Sequence, residues 1–427
     1  MGARNDADKG VGGARHGCQY APIQASPAEK EAAMSSRDRG EETVLCHAGR
    51  EPRANHGIVN PPVYHASTVL FPTVAALEAA EGGLFDVCRY GRVGTPTSWA
   101  FERAVAAVEG GSHAISLPSG LSAVATALLA FARAGDHLLV ADTSYGPTRK
   151  FCDAVLARLG VETEYYDPLL GAGVQALFRP NTRLLYLEAP GSLTFEMQDV
   201  PAMAEAARRR GIKVLMDNTW ATPLFFKPFD HGVDVSIHAA TKYMVGHSDA
   251  MLGVVVCRDL ESAEPVKRTA VVSGAAAGPD DLYLGQRGLR SMAVRLARHQ
   301  ETGLRLAEWL RGRPEVTRVL HPGLPGDPGH ALWRRDFTGA SGLFGFVLKP
   351  SPKAAVAAML DGLELFGMGF SWGGYESLIL PAKLAGLRTA RRWEDPGVLI
   401  RVHAGLEDFD DLRADLEAGL DRLARAA

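Results

Sequence analysis

The chain has 427 residues, 46% hydrophobic and 22% charged, enough apolar material for two or three packed domains and too much for a disordered protein. Its 46 Lys and Arg stand against 49 Asp and Glu, a net charge of -3, which excludes the basic field of a dedicated nucleic-acid or anionic-membrane binder. Five scattered cysteines (Cys18, Cys46, Cys88, Cys152, Cys257) without zinc spacing predict free thiols in a reducing, cytoplasmic setting and no structural metal, and neither a membrane span nor a secretion signal is visible.

Residues 1–40 hold 11 charges among Gly, Ala and Ser with almost nothing to bury, and read as a disordered tail without assigned function. From about residue 95 to 290, short β-rich runs at 137–141, 183–187, 213–216 and 233–238 alternate with helical windows such as 121–133 and 202–210. That alternation predicts an α/β fold, a mostly parallel sheet covered by helices on both faces, with ligands at the carboxyl ends of its strands. After Arg287 come an amphipathic helix at 289–310, a Pro/Gly-rich stretch at 321–330, further β runs and a last helix at 410–427. These predict a smaller C-terminal α/β domain.

The chain contains no G-x-G-x-x-G, no G-x-x-x-x-G-K-[ST] and no H-E-x-x-H, so the main nicotinamide, ATP and zinc-protease signatures are absent. What stands out is Asp217, at the end of the run 213–216, and Lys242, just after the run 233–238. If those strands are parallel neighbours, a lysine and a carboxylate converge at the ligand end of the sheet. Pyridoxal phosphate needs that pair, the amine to bind its aldehyde and the carboxylate to keep its ring nitrogen protonated. Either residue alone is better read as an exposed strand-end salt bridge. Ser119 and Gly120 precede a helix whose free N–H groups suit an anion, though such a pair is more often an ordinary N-cap. Tyr145 follows the strand 137–141, where it would stack on a flat ring or serve as core. His321, Asp327 and His330 read as surface polar residues rather than a metal site, and His238 and His247 as structural.

Longer segments carry a family resemblance. They are Tyr90 to Thr97 (YGRVGTPT), Asp217 to Trp220 (DNTW), Ala240 to Tyr243 (ATKY) running on through Val245 to Ala250 (VGHSDA), Phe337 to Gly339 (FTG) and Ser371 to Leu378 (SWGGYESL). With them the chain, from about residue 43 onward, resembles the cysteine and methionine metabolism class of pyridoxal-phosphate enzymes, most of all its bacterial cystathionine β-lyases. The resemblance implies an aminotransferase-like (fold type I) large domain at 95–289, a C-terminal domain at 290–427 and an arm at 41–94 that touches a neighbouring subunit. By the same resemblance Lys242 holds the cofactor, Asp217 pairs with its ring nitrogen and Tyr145 stacks on the ring. Gly120 and Leu121 give amides to the phosphate and Thr241 a hydroxyl, while Tyr90 and Arg92 reach the neighbour's phosphate. Arg401 clamps the substrate carboxylate, a fit for a planar bidentate guanidinium. Ser371 and Trp372 form the substrate wall.

The implied activity is α,β-elimination of L-cystathionine to homocysteine, pyruvate and ammonia in methionine biosynthesis, by a homotetramer built from two dimers with shared sites. A γ-acting relative, a cysteine/cystine C–S lyase, or a non-catalytic regulator reusing the fold are the alternatives. Three positions depart from the family pattern: Ala239 where many members have serine, Ser192 where many have asparagine, and Val271 where a substrate-side tyrosine is expected.

Overall fold

The computed structural model describes residues 39–384 and 386–426; the tail expected at 1–40 therefore lies, except for Arg39 and Gly40, outside the described residues. Seven strands, β1 (His113–Leu117), β2 (His137–Ala141), β3 (Glu162–Tyr166), β4 (Thr182–Glu188), β5 (Lys213–Asp217), β6 (Val235–His238) and β7 (Gly253–Cys257), form one sheet in the order β1-β7-β6-β5-β4-β2-β3. Pairing is parallel from β3 through β6, and only β7 runs against its two neighbours. The four β runs expected between 137 and 238 are β2, β4, β5 and β6, displaced by at most two residues.

These strands read as unbroken apolar runs because both faces are covered. Side chains of successive residues leave opposite faces. Leu138, Val140, Leu184, Tyr186, Val235 and Ile237 pack on Ala123 and Leu128 of helix α1 (Gly120–Phe131) and on Ala263 and Val266 of α2 (Leu260–Ser273). Leu139, Leu185, Leu187, Val214 and Met216 pack instead beneath Val200, Met203 and Ala207. That second core also takes Leu343, Val347 and Leu399 from a four-stranded antiparallel sheet ordered β10-β11-β9-β8. Its strands are β8 (Val316–Leu320), β9 (Leu343–Leu348), β10 (Leu378–Pro381) and β11 (Val398–His403). This shared core sets the carboxyl ends of the large sheet against loops of the small one.

A 33-residue helix, α3 (Pro279–Arg311), joins the two parts. It starts ten residues before the expected 289, and the division expected at 289/290 falls inside it. Gly285 and Gly288 hid its first turns, since glycine disfavours helix interiors. Both are needed for close packing: a Cβ on Gly288 would stand 2.1 Å from the Met244 carbonyl oxygen, and one on Gly285 2.6 Å from Leu252.

One expectation is corrected. His321 is not a surface residue; it is 0% exposed, with its ring 6.4 Å from Trp220 and 5.8 Å from Phe344. Its Nδ1 accepts from the Gly323 amide at 3.0 Å, which satisfies one ring nitrogen without water, and burial pushes its pKa down to about 4.

Candidate active site

The strand order brings the chemistry-bearing ends together. β4, β5 and β6 lie side by side, with Glu188 opposite Asp217 and Asp217 opposite Ile237. Past Asp217 the chain turns, and the Thr219 amide donates to Asp217 Oδ1 at 2.9 Å while Thr219 Oγ1 accepts from the Ala239 amide at 2.9 Å. The loop carrying Lys242 is thereby tied to the loop carrying Asp217. Lys242 Nζ donates to Ser371 Oγ at 2.6 Å and stands 5.3 Å from the Trp372 ring. Burial, reinforced by the Arg401 charge and opposed by Asp217, lowers its pKa to about 8.

On the other side of Asp217, the Tyr145 amide donates to Glu188 Oε2 at 2.7 Å, and the Tyr145 side chain remains 45% exposed. Burial, then the Asp217 and Glu188 charges, hold the phenol above its ordinary pKa. Burial likewise raises Asp217, and burial together with the Asp217 charge raises Glu188 well above the carboxylate range. Two neighbouring acids, each held by a backbone amide, make a pocket that favours a cation; a protonated pyridine nitrogen supplies one. Glu188 escaped the sequence reading because its place beside Asp217 depends on strand order, not on any local motif.

Gly120 and Leu121 open α1, with the Ser119 hydroxyl accepting from the Ser122 amide at 3.1 Å as N-cap. A Cβ on Gly120 would lie 2.4 Å from the Ala239 Cβ, so the loop before Lys242 closes on this helix start only because residue 120 is glycine. A helix N-terminus stripped of side-chain bulk, facing a lysine and two acids, fits a phosphorylated pyridine aldehyde. Thr241 is less free than expected: its hydroxyl donates to the Leu252 carbonyl at 3.0 Å and accepts from the Leu252 amide at 2.9 Å.

Arg401, on β11, donates from Nη2 to the carbonyls of Gly369 (3.2 Å) and Ser371 (2.9 Å), which brings it to the segment bearing Ser371 and Trp372. Ser192 follows β4, and its amide donates to the Thr143 carbonyl at 2.8 Å. Tyr90 and Arg92 make their contacts elsewhere. The Arg92 guanidinium lies 5.8 Å from the Tyr90 ring and donates to the Val271 carbonyl, and Tyr90, Arg92 and Val271 together line a cavity of 280 Å³.

Beneath the site lies a buried polar cluster that motif reading left as structural. His238 Nε2 is 2.8 and 2.9 Å from the two carboxylate oxygens of Glu109, which also accepts from Ser236 Oγ at 2.6 Å and from Asn218 Nδ2 at 3.3 Å. His247 lies apart, its Nδ1 2.7 Å from the Val245 carbonyl.

Comparison with known proteins identifies the family of the chain. The family model for "Cys/Met metabolism PLP-dependent enzyme" matches residues 42–421. A Rhizobium johnstonii protein is 52% identical over 387 residues, 90% of this chain and 96% of its own length. Cystathionine beta-lyase MetC of Escherichia coli is 45% identical over 397 residues, 90% of this chain and 99% of that protein. Among solved structures, metB from Corynebacterium glutamicum superimposes with a TM-score of 0.84 at 31% identity, covering 91% of this chain and 100% of that one.

Proposed function

The chain belongs to the Cys/Met metabolism PLP-dependent enzyme family, and on that premise we propose that it is a carbon–sulfur lyase splitting L-cystathionine by α,β-elimination to homocysteine, pyruvate and ammonia, a step of methionine biosynthesis. The observation that carries the β assignment is the Trp372 indole 5.3 Å from Lys242 Nζ. A rigid aromatic wall beside the base restricts rotation of a long thioether and so would fix the direction of its Cβ–S bond.

Lys242 would hold pyridoxal phosphate through its aldehyde carbon, Asp217 its ring nitrogen, Tyr145 its ring face, and the amides of Gly120 and Leu121 its phosphate. Thr241 would join the phosphate only if its hydroxyl proton left Leu252. When bound, the cofactor supplies an electron-withdrawing ring that accepts the pair left at Cα. Lys242 would be the base for the Cα proton, since an amine with a pKa of about 8 is about one-tenth unprotonated at pH 7, far more than an ordinary lysine. Arg401 orients the substrate carboxylate and Ser371 orients the lysine. As the homocysteine thiolate leaves Cβ, the Tyr145 phenol, kept protonated by its surroundings, is available as proton donor.

We further propose a cytoplasmic homotetramer, a dimer of dimers, in which residues 41–94 form an arm against the neighbour and Tyr90 and Arg92 serve the neighbour's phosphate. Support comes from the apolar side chains this arm leaves open, Ile58 (61% exposed), Leu70 (88%) and Val74 (70%). The cluster of Tyr90, Arg92 and Val271 apart from Lys242 fits the same reading. The cysteines Cys46, Cys88, Cys152 and Cys257 are free, as a reducing compartment requires.

The test is product identity. The purified protein with cystathionine should give pyruvate and homocysteine; predominant 2-oxobutyrate with cysteine would overturn the β assignment in favour of γ-elimination.

A further inference from the structure

Strand β11 grips the substrate wall at two points. Arg401 and His403 are two residues apart on it and leave the same face. Where Arg401 holds the carbonyls of Gly369 and Ser371, His403 Nε2 lies 3.1 Å from both the Gly373 amide and the Gly374 carbonyl. The other ring nitrogen lies 3.5 Å from the Tyr243 hydroxyl. Tyr243 packs its ring 5.4 Å from Trp372 and 5.1 Å from His299, and His299 lies 5.1 Å from His403. The imidazole is 0% exposed, and its polar partners among the described residues lie in this knot.

The wall is pinched from its other side as well. Gly373 has φ 91°, and a Cβ there would stand 3.0 Å from Lys242 Cα. Ser371 has φ 77°, a strained conformation that persists only where surrounding contacts enforce it. Residues 371–374 are thus clamped between the backbone of Lys242 and the ring of His403.

We propose that His403 is a positioning residue for substrate selection: it fixes the Trp372 wall over Lys242 and so favours amino-acid thioethers with a long distal arm over short ones. A neutral imidazole nitrogen either accepts from the Gly373 amide or donates to the Gly374 carbonyl, and each tautomer secures one of them. Burial keeps the ring neutral, holding its pKa down to about 3. Without the clamp, Gly373 and Gly374 can relax and the indole moves relative to the distal arm, while Ser371 stays held by Arg401 and Lys242 and Arg401 still holds the carboxylate. A short substrate does not sense the indole.

The inference rests on the lyase reading above, and the experiment separates the two. Holoenzyme carrying His403→Leu is compared with the unsubstituted enzyme on L-cystathionine and on S-methyl-L-cysteine, whose single methyl beyond sulfur stops short of the wall. A misplacement near 1 Å costs about 10²-fold, so kcat/KM for cystathionine should fall by about that factor. The fall for S-methylcysteine should stay under about 3-fold. His403→Gln, whose amide can both accept from Gly373 and donate to Gly374, should recover most of the loss. Equal losses on both substrates, or none on either, overturn the inference. If His403→Leu does not fold, His403→Asn, too short to reach both groups, replaces it with the same two outcomes. No pyruvate from the unsubstituted enzyme with cystathionine overturns the lyase reading and this inference together.

Discussion

The cluster under the site offers a sharp test of how the fold supports it. Glu109 is 1% exposed and His238 1%, so their pair is closed to water, and the carboxylate accepts from three side chains. Burial alone would raise the acid's pKa; the His238 charge and the three hydrogen bonds outweigh it and hold it below its ordinary value of 4.5. Removing one member of such a pair leaves the other uncompensated in a dry interior, which costs about 3–5 kcal/mol. Glu109→Gln keeps an acceptor oxygen for Ser236, so its cost should sit near the lower end, about 3 kcal/mol. His238→Gln should cost a similar amount, and the double variant should cost less than the two together by about 1–3 kcal/mol. Urea unfolding of the holoenzyme at fixed protein concentration, followed by tryptophan fluorescence at pH 7, measures all three. The sign with pH follows from the lowered acid. Its stabilisation is full above 4.5 and is lost as pH falls through the lower folded value, so the gap between wild type and Glu109→Gln should close only in acid. A Glu109→Gln penalty under about 1 kcal/mol, or strict additivity, would refute a coupled buried pair.

Three further outcomes follow from the site. Borohydride reduction of the yellow holoenzyme should fix pyridoxal phosphate to a peptide containing Lys242; a Lys242→Ala protein that is still labelled at another lysine, or still turns over, contradicts the assignment. In protein stripped of cofactor, acylation of Lys242 should be half-maximal near pH 8, because burial lowers the amine to about 8, whereas a profile rising only near the ordinary 10.5 would remove burial from the argument. Mixing Arg92→Ala with Lys242→Ala subunits should restore some activity, since one site of each mixed dimer then keeps both parts, and no recovery despite proven subunit exchange counts against shared sites.

How much was legible in the sequence divides along a physical line. The strands β2, β4, β5 and β6 were visible because a strand buried on both faces is an apolar run, and that signal is local. Lys242, Asp217 and Tyr145 were visible as residues following such runs, and the lysine–carboxylate pair itself pointed to pyridoxal phosphate independently of any resemblance. The start of α3 was hidden because Gly285 and Gly288 answer to Leu252 and Met244, partners that lie about 35 to 45 positions earlier in the chain. His321 was misread because a histidine in a Pro/Gly-rich stretch looks exposed until the Gly323 amide and the flanking rings are seen to enclose it.

Strand order, which no local pattern records, decides the electrostatics of the site. β4 beside β5 sets Glu188 against Asp217, and the acid that the motif suggests as lone partner of a ring nitrogen is one of two. Both have raised pKa values, so the pocket is poised to gain from a cation rather than already satisfied. Lys242, whose charge acts on Asp217, is drawn down by its burial and by Arg401 more than Asp217 lifts it. An amine that readily gives up its proton next to acids that seek a positive partner is a division of labour. On the proposed reading it would leave the lysine free for a carbonyl and the carboxylates free for a pyridinium, and it arises because β4, β5 and β6 end side by side.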